Sequence, residues 1–261
     1  MKIRVLEMML ATMPFLGHQE CVSQSLKINV ANLIYKDDIN ITGSTYYRIN
    51  ALPGTNKLNG DYTQTSAVKY NNNDLMTIKW SDRATSNTID IEQVQLYYVP
   101  NQNIHINLVV PGAVVLGQSY SNIKPIKIKN KAFANIGAAD VTLGVAFLNP
   151  EFGWYNVTFD TDCSRQFENS SSIISLDFRG TDTINVTNMN SMFEGCDNLQ
   201  ELRLDNFSML NCCNNRDNMF LGCTNLATLM YGTASITLPT GINYDPQKTL
   251  EQACLLLDLG S

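Results

Sequence analysis

One pattern recurs three times between Gln166 and Tyr231, and it constrains the fold of this chain more than any other feature. Gln166-Phe167-Glu168-Asn169-Ser170-Ser171-Ser172-Ile173 is followed by Met192-Phe193-Glu194-Gly195-Cys196-Asp197-Asn198-Leu199 and then by Met219-Phe220-Leu221-Gly222-Cys223-Thr224-Asn225-Leu226, at offsets of 26 and 27 residues. Each copy runs on into an apolar spacing that repeats as well: Ile173-x-x-Leu176-Asp177-Phe178, Leu199-x-x-Leu202-Arg203-Leu204 and Leu226-x-x-Leu229-Met230-Tyr231. A fixed period in this range marks a solenoid, in which no single turn can bury its apolar residues except against its neighbours.

The spacing within one period predicts its parts. Leu-x-Leu is a short strand, and successive strands stack into a parallel ladder. Met189, Met192 and Phe193 fall at i, i+3 and i+4, the spacing of a helical face, with Thr187 or Asn188 available as N-cap. Gly195 and Gly222 then occupy a position where a left-handed residue ends a helix at little cost. Asn198 and Asn225 are in register, so their amides are placed to bond backbone groups from one turn to the next. Cys196 and Cys223 are also in register, which predicts buried, small, apolar thiols.

The stretch Asn185-Val-Thr-Asn-Met-Asn-Ser-Met-Phe-Glu-Gly-Cys-Asp-Asn-Leu-Gln-Glu-Leu-Arg-Leu resembles the BspA-like leucine-rich repeats of bacterial surface proteins, whose pattern runs N-V-T-x-M-x-x-M-F-x-x-C-x-x-L-x-x-L-x-L. The third copy follows it through Met219, Phe220, Cys223 and Leu226, with Cys213 and Arg216 where the second has Val186 and Met189. The first copy departs at Gln166 and Ser170. The resemblance covers about a quarter of the chain, residues 166–231, and implies a solenoid used for adhesion or display without catalysis.

The remainder reads as follows. Residues 1–24 form an N-terminal arm or helix, with Leu6, Met9, Leu10 and Met13 on one face; it docks on the body or on a neighbouring subunit. Glu7 and Pro14 interrupt the apolar run, so residues 1–20 read as part of the mature chain. Residues 25–150 predict an all-β sandwich or jelly-roll-like domain. Its candidate strands are 26–34, 46–52, 67–70, 75–80, 88–99, 104–110, 125–128 and 141–148, separated by turn clusters such as Asn71-Asn72-Asn73-Asp74. No long helical pattern interrupts them, which argues against a parallel α/β sheet. Residues 151–261 hold the short solenoid and its C-terminal cap. There Asp245-Pro246 reads as N-cap and first helical residue, and Leu250, Ala253, Cys254 and Leu257 form the face of a capping helix. The fold class is therefore mainly β, with an N-terminal sandwich followed by a three-turn leucine-rich-repeat solenoid.

Function is bounded more than named. A formal charge of −6 with no Lys/Arg run gives phosphate backbones little to bind, so no nucleic acid is expected. No stretch of 18 apolar residues predicts a membrane-spanning helix. Only two histidines are present, and no nucleophile elbow, P-loop, dinucleotide fingerprint or zinc spacing is found. Asp160-Thr161-Asp162 lacks the spacing of a calcium loop. No catalytic residue, metal or cofactor is assigned. The expected role is a non-enzymatic structural protein: a phage virion component of head, tail or fibre, partnered by other protein subunits in a homo-oligomer or larger assembly. The alternative is a BspA-like adhesin at the bacterial cell surface, binding a host protein or glycan. A carbohydrate-active enzyme ranks third. The candidate binding residues are the exposed strand positions Asp177, Arg203 and Met230, with Arg179 and Asp205 beside them.

Overall fold

The fold is that of a computed structural model, which describes residues 24–29, 39–41, 62–70, 72–83, 86–97, 104–115, 123–136, 140–145, 147–149, 153–212 and 214–258. The arm expected over residues 1–24, save its last residue, and the strand expected at 46–52 lie outside these. In chain order the strands begin with β1 (Gln24–Asn29), β2 (Ile39–Ile41), β3 (Tyr62–Tyr70), β4 (Asn73–Asp82), β5 (Ile89–Leu96) and β6 (Ile104–Pro111). Next come β7 (Ala113–Val115), β8 (Ile123–Ile128), β9 (Asp140–Val145), β10 (Phe147–Asn149), β11 (Gly153–Tyr155) and β12 (Val157–Phe159). The last are β13 (Ser175–Asp177), β14 (Thr181–Asp182), β15 (Glu201–Arg203), β16 (Thr228–Tyr231) and β17 (Ala234–Thr237), and the chain closes on a helix, α1 (Pro246–Asp258).

Two large sheets share one core. The first runs β1-β6-β9-β13-β15-β16-β17 and the second β14-β12-β8-β5-β4-β3-β2. From β5 onward the chain alternates between them: β5, β8, β12 and β14 lie in the second sheet, and β6, β9, β13 and β15 in the first. Each coil thus returns through the opposite sheet, which supplies the crossover that parallel strands require. A sandwich or jelly roll would pair its strands antiparallel. Here β3–β4 and β4–β5 are antiparallel, whereas β1–β6, β6–β9 and β5–β8 are parallel. The protein is mainly β, with a solenoid of about three turns and one C-terminal helix.

Register explains why the leucine spacing repeats. Leu108, Val141, Leu176, Leu202 and Leu229 are successive partners along the first sheet. Leu108, Leu176, Leu202 and Leu229 are all buried in the common core. A one-residue slip would turn this whole row to solvent.

The segment expected as a helix at Met189–Phe193 is instead a tight corner, and the difference lies in where its N–H groups go. Met189, Ser191, Phe193 and Gly195 donate to Asn215, Asp217, Met219 and Leu221 of the next coil at 2.8–2.9 Å. Arg165, Phe167 and Asn169 donate to Asn190, Met192 and Glu194 in the same way. The intervening amides of Met192, Glu194 and Cys196 reach only three residues back, to Met189, Ser191 and Phe193. An α-helix would turn the donors beyond its first turn to its own i−4 carbonyls, and none of these amides does so. The zigzag requires left-handed residues four apart, found as Arg165/Asn169, Ser191/Gly195 and Asn218/Gly222.

The same pair occurs once more upstream, as Lys131/Asn135 with φ of 61° and 59°. Phe133 lies between them, and its ring stacks on Phe167 at 5.4 Å. Phe167 stacks on Phe193 at 5.6 Å and Phe193 on Phe220 at 5.4 Å, so four corners carry one continuous phenylalanine ladder. Each stacked pair contributes about 0.5–1.5 kcal/mol beyond the area it buries.

Both chemistry and geometry close the C-terminal end. β17 folds back antiparallel on β16, so the parallel ladder ends in a hairpin whose outer strand is only four residues long. Asp245 caps α1 as expected, its Oδ1 accepting the N–H groups of Gln247 at 3.0 Å and Lys248 at 3.2 Å. Ala253 and Leu256 are fully buried, and Leu250, Cys254 and Leu257 pack against the core more shallowly. Leu255 stays 49% exposed, so the wide apolar face of this helix is only partly used.

Candidate functional surface

Asp177, Arg203 and Met230 are direct register partners on β13, β15 and β16. Their inward neighbours Leu176, Leu202 and Leu229 fill the core, so by strand alternation these three share the outer face. All three are half-buried.

The charged members of this group are committed to one another. Arg179 closes on Asp177 with its Nη2 2.6 Å and its Nε 2.9 Å from Oδ2, and its own N–H reaches Oδ1 at 3.0 Å. That hydrogen-bonded carboxylate holds the Arg179 guanidinium above its usual range. Arg203 Nε lies 2.9 Å from Asp205 Oδ2, an ion pair without hydrogen-bond alignment. The same two residues clamp the β16–β17 turn: Arg203 Nη2 donates to the Gly232 carbonyl at 2.7 Å, and the Gly232 N–H donates to Asp205 Oδ1 at 2.8 Å. Arg203 and Asp205 therefore tie one coil to the terminal hairpin, a structural duty that the strand pattern did not reveal.

Side chains also bond coil to coil along the solenoid. Asn198 Nδ2 donates to the Ser171 carbonyl at 2.7 Å and Asn225 Nδ2 to Asp197 at 2.6 Å, as their register implied. Asn206, Asn211 and Asn215 make equivalent bonds to Arg179, Ile184 and Thr187. Inside, Cys196 and Cys223 donate their S–H to the carbonyls of Phe167 and Phe193 at 3.1 and 3.0 Å. Ser170, which departs from the repeat pattern, does the same work: its Oγ donates to Phe133 at 2.9 Å. Tyr244 completes the series by donating to Phe220. Burial pushes the Cys196 thiol up to about 12 and raises Cys163 and Cys223 too, so these thiols stay protonated donors at neutral pH.

Asp160 and Asp162 are likewise satisfied within the protein. Burial alone would raise the Asp160 carboxyl. Lys127 at 2.8 Å, Lys129 at 3.0 Å and the Asn130 N–H outweigh it and hold the carboxyl below its ordinary value. Asp162 accepts the Ser164 N–H at 2.8 Å.

Two cavities lie where α1 meets the last coil. One, of about 420 Å³, separates residues 216–221 from Pro246, Gln247 and Leu250. The other, of about 370 Å³, has Phe207, Met209, Leu210, Tyr231 and Leu257 as apolar walls, with Arg216, Cys254 and Asp258 at its lining. Arg216 borders both. No helix among the described residues is long and apolar enough to cross a membrane.

No family model, curated protein or solved structure matches this chain.

Proposed function

We propose that the chain is a non-enzymatic structural protein of a larger assembly, a phage virion component of head, tail or fibre in which a small BspA-like repeat module continues from a β-rich N-terminal part. Other protein subunits are its partners, and the virion is its location. One observation carries this reading: every described coil boundary from Phe133 to Tyr244 is crossed by main-chain bonds, an aromatic stack or side-chain-to-carbonyl bonds. Such a body has little freedom to close on a substrate and suits a stiff spacer or platform. The half-used apolar face of α1 supports contact with a further subunit.

The second reading, a bacterial surface adhesin, rests on the repeat pattern and on the outer row Asp177, Arg203 and Met230. The internal pairing of Asp177 with Arg179 and of Arg203 with Asp205 weakens it, because a ligand would have to displace both bridges. Light scattering and electron microscopy of the full chain separate the two. A symmetric ring or trimer supports the assembly role. A monomer that binds host glycans or proteins saturably, and loses binding on charge reversal at Arg203 and Asp205, overturns it in favour of adhesion.

A further inference from the structure

The coil-to-coil ladder is left open at its last corner. In the corner before it, Ser191, Phe193 and Gly195 donate their N–H groups to the carbonyls of Asp217, Met219 and Leu221 in the next coil. The equivalent donors of the last corner are Asn218, Phe220 and Gly222, 27 residues on. None of these three N–H groups has an acceptor among the described residues. Tyr244 and α1 replace the interior of a following coil, and Tyr244 donates to the Phe220 carbonyl as Cys223 does to that of Phe193. They do not replace its backbone at the corner. The cavity of about 420 Å³ lies there, with Asn218 and Phe220 in one wall and Pro246, Gln247 and Leu250 in the other. In the neighbouring cavity the cation is already engaged, Arg216 Nη1 donating to Cys254 Sγ at 2.9 Å.

A row of this kind takes carbonyls spaced two residues apart on a run of backbone, and in two earlier corners of this chain a polypeptide supplies them. An edge of unpaired main-chain donors is a template for another strand. One stretch outside the described residues has the matching chemistry. Met13-Pro14-Phe15-Leu16-Gly17 repeats the Phe-Leu-Gly of residues 220–222, and in the coil that holds those residues the Met219 and Leu221 carbonyls are ladder acceptors. Pro14 has no N–H and biases Met13 toward an extended backbone, which suits a segment that only accepts. Phe15 and Leu16 bring apolar side chains to a gap bordered by Leu221 and Leu250.

Reach decides whose segment it is. β1 and β16 stand five strand spacings apart in the first sheet, about 24 Å. Gly17 precedes Gln24, the first residue of β1, by seven residues, which span at most about 25 Å when fully extended. The last corner ends six residues before β16 begins, which adds a sideways offset. A copy's own segment thus has no slack with which to reach its own corner. The segment of another copy is not tethered in this way.

We propose that the open corner at 218–222 is a docking edge for residues 13–17 of a second copy, which lie in the gap between the corner and α1 and accept the N–H groups of Asn218, Phe220 and Gly222. The inference rests on the assembly reading, since the occupant is another subunit. The contact joins unlike surfaces, so it builds a ring or a filament rather than a twofold dimer.

The test places the photo-cross-linker p-benzoylphenylalanine at Leu221, which is 43% exposed and borders the gap, in the full chain. Isotope-labelled and unlabelled chains are mixed before assembly, cross-links are mapped by mass spectrometry, and light scattering is run on the unsubstituted protein. The expected cross-link joins position 221 to residues 13–17, with labelled chains captured on unlabelled ones. If the unsubstituted protein assembles but the cross-links map elsewhere or stay within one copy, this contact is overturned and the assembly reading stands. If the unsubstituted protein is a monomer, both fall. Should the cross-linker itself prevent assembly, amide exchange of the unsubstituted protein decides: the Asn218 and Gly222 amides should exchange at least about tenfold more slowly in the assembled protein than in the dilute monomer, and equal rates overturn the proposal.

Discussion

Three glycines with positive φ separate backbone strain from crowding, and their alanine variants test the coil stacking quantitatively. Gly232, Gly222 and Gly195 have φ of 57°, 82° and 74°. An alanine in that region costs about 1–2 kcal/mol from Cβ–carbonyl repulsion, offset by about 0.4–1 kcal/mol because the unfolded chain loses freedom. For Gly232 nothing lies within 4 Å of the new Cβ, so the net cost is about 1 kcal/mol. At Gly222 the Cβ would stand 3.3 Å from the Gly195 nitrogen and 3.4 Å from its Cα, both backbone atoms of the preceding coil, so a few tenths of an ångström must be found between coils. Gly195 is tightest: its Cβ would meet Asn169 Oδ1 at 2.6 Å, with Asn169 Cα and N at 3.3 and 3.4 Å. Overpacking of this kind adds about 1–3 kcal/mol, so Gly195→Ala should cost about 2–4 kcal/mol in all. The assay is urea unfolding of the full chain with the m-value checked for constancy. The expected order is Gly195 > Gly222 > Gly232. Adding Asn169→Gly to Gly195→Ala should recover part of the loss by removing the amide oxygen. Equal costs at all three glycines, or Gly232→Ala as the worst, would refute the claim that the coils are packed backbone to backbone.

Further outcomes follow from single contacts. Ser170→Ala removes a donor to the Phe133 carbonyl and an acceptor for the Ile136 N–H in a buried site, and should cost about 1–3 kcal/mol in urea unfolding; Ser170→Cys should retain most of that stability. Asp245→Ala leaves the α1 N–H groups of Gln247 and Lys248 without their cap, for a loss of about 1 kcal/mol read as a fall in thermal midpoint. The folded Asp160 carboxyl titrates below its unfolded value, so its contribution is complete above about pH 4 and is lost as pH falls through the lower folded value. Asp160→Asn should therefore flatten the acid limb of stability against pH below about pH 4 while leaving its neutral-to-alkaline shape unchanged.

The parts of this fold that were legible in the sequence are those that depend on local spacing. The leucine rung, the left-handed Gly195 and Gly222, the stacked Asn198 and Asn225 amides and the Asp245 cap all follow from residue types at fixed offsets. The corner at Met189–Phe193 was misread because i, i+3, i+4 is also the spacing of a helix. Only the destination of its N–H groups, in another coil, tells the two apart. The corner at Lys131–Ile136 escaped notice for another reason. It lies 34 residues before Arg165 rather than 26 or 27, and Ala132 and Ile136 stand where the later copies have Met and Cys. The ladder demands a phenylalanine and two left-handed residues, and it tolerates variation elsewhere. On the surface, the outward direction of Asp177 and Arg203 was legible, but both are half-buried rather than exposed, and their capture by Arg179, Asp205 and Gly232 left no signal in the strand pattern. The Arg216–Cys254 contact joins positions 38 residues apart across the cap and leaves no local signal.

The central claim is that the corners are coil-to-coil ladders and not helices. Scalar couplings across hydrogen bonds in the deuterated, isotope-labelled protein test it directly. The account predicts couplings from the Phe193 amide nitrogen to the Met219 carbonyl carbon, and from Phe167 to Met192. Couplings from Phe193 back to Met189, four residues away in its own coil, would contradict it.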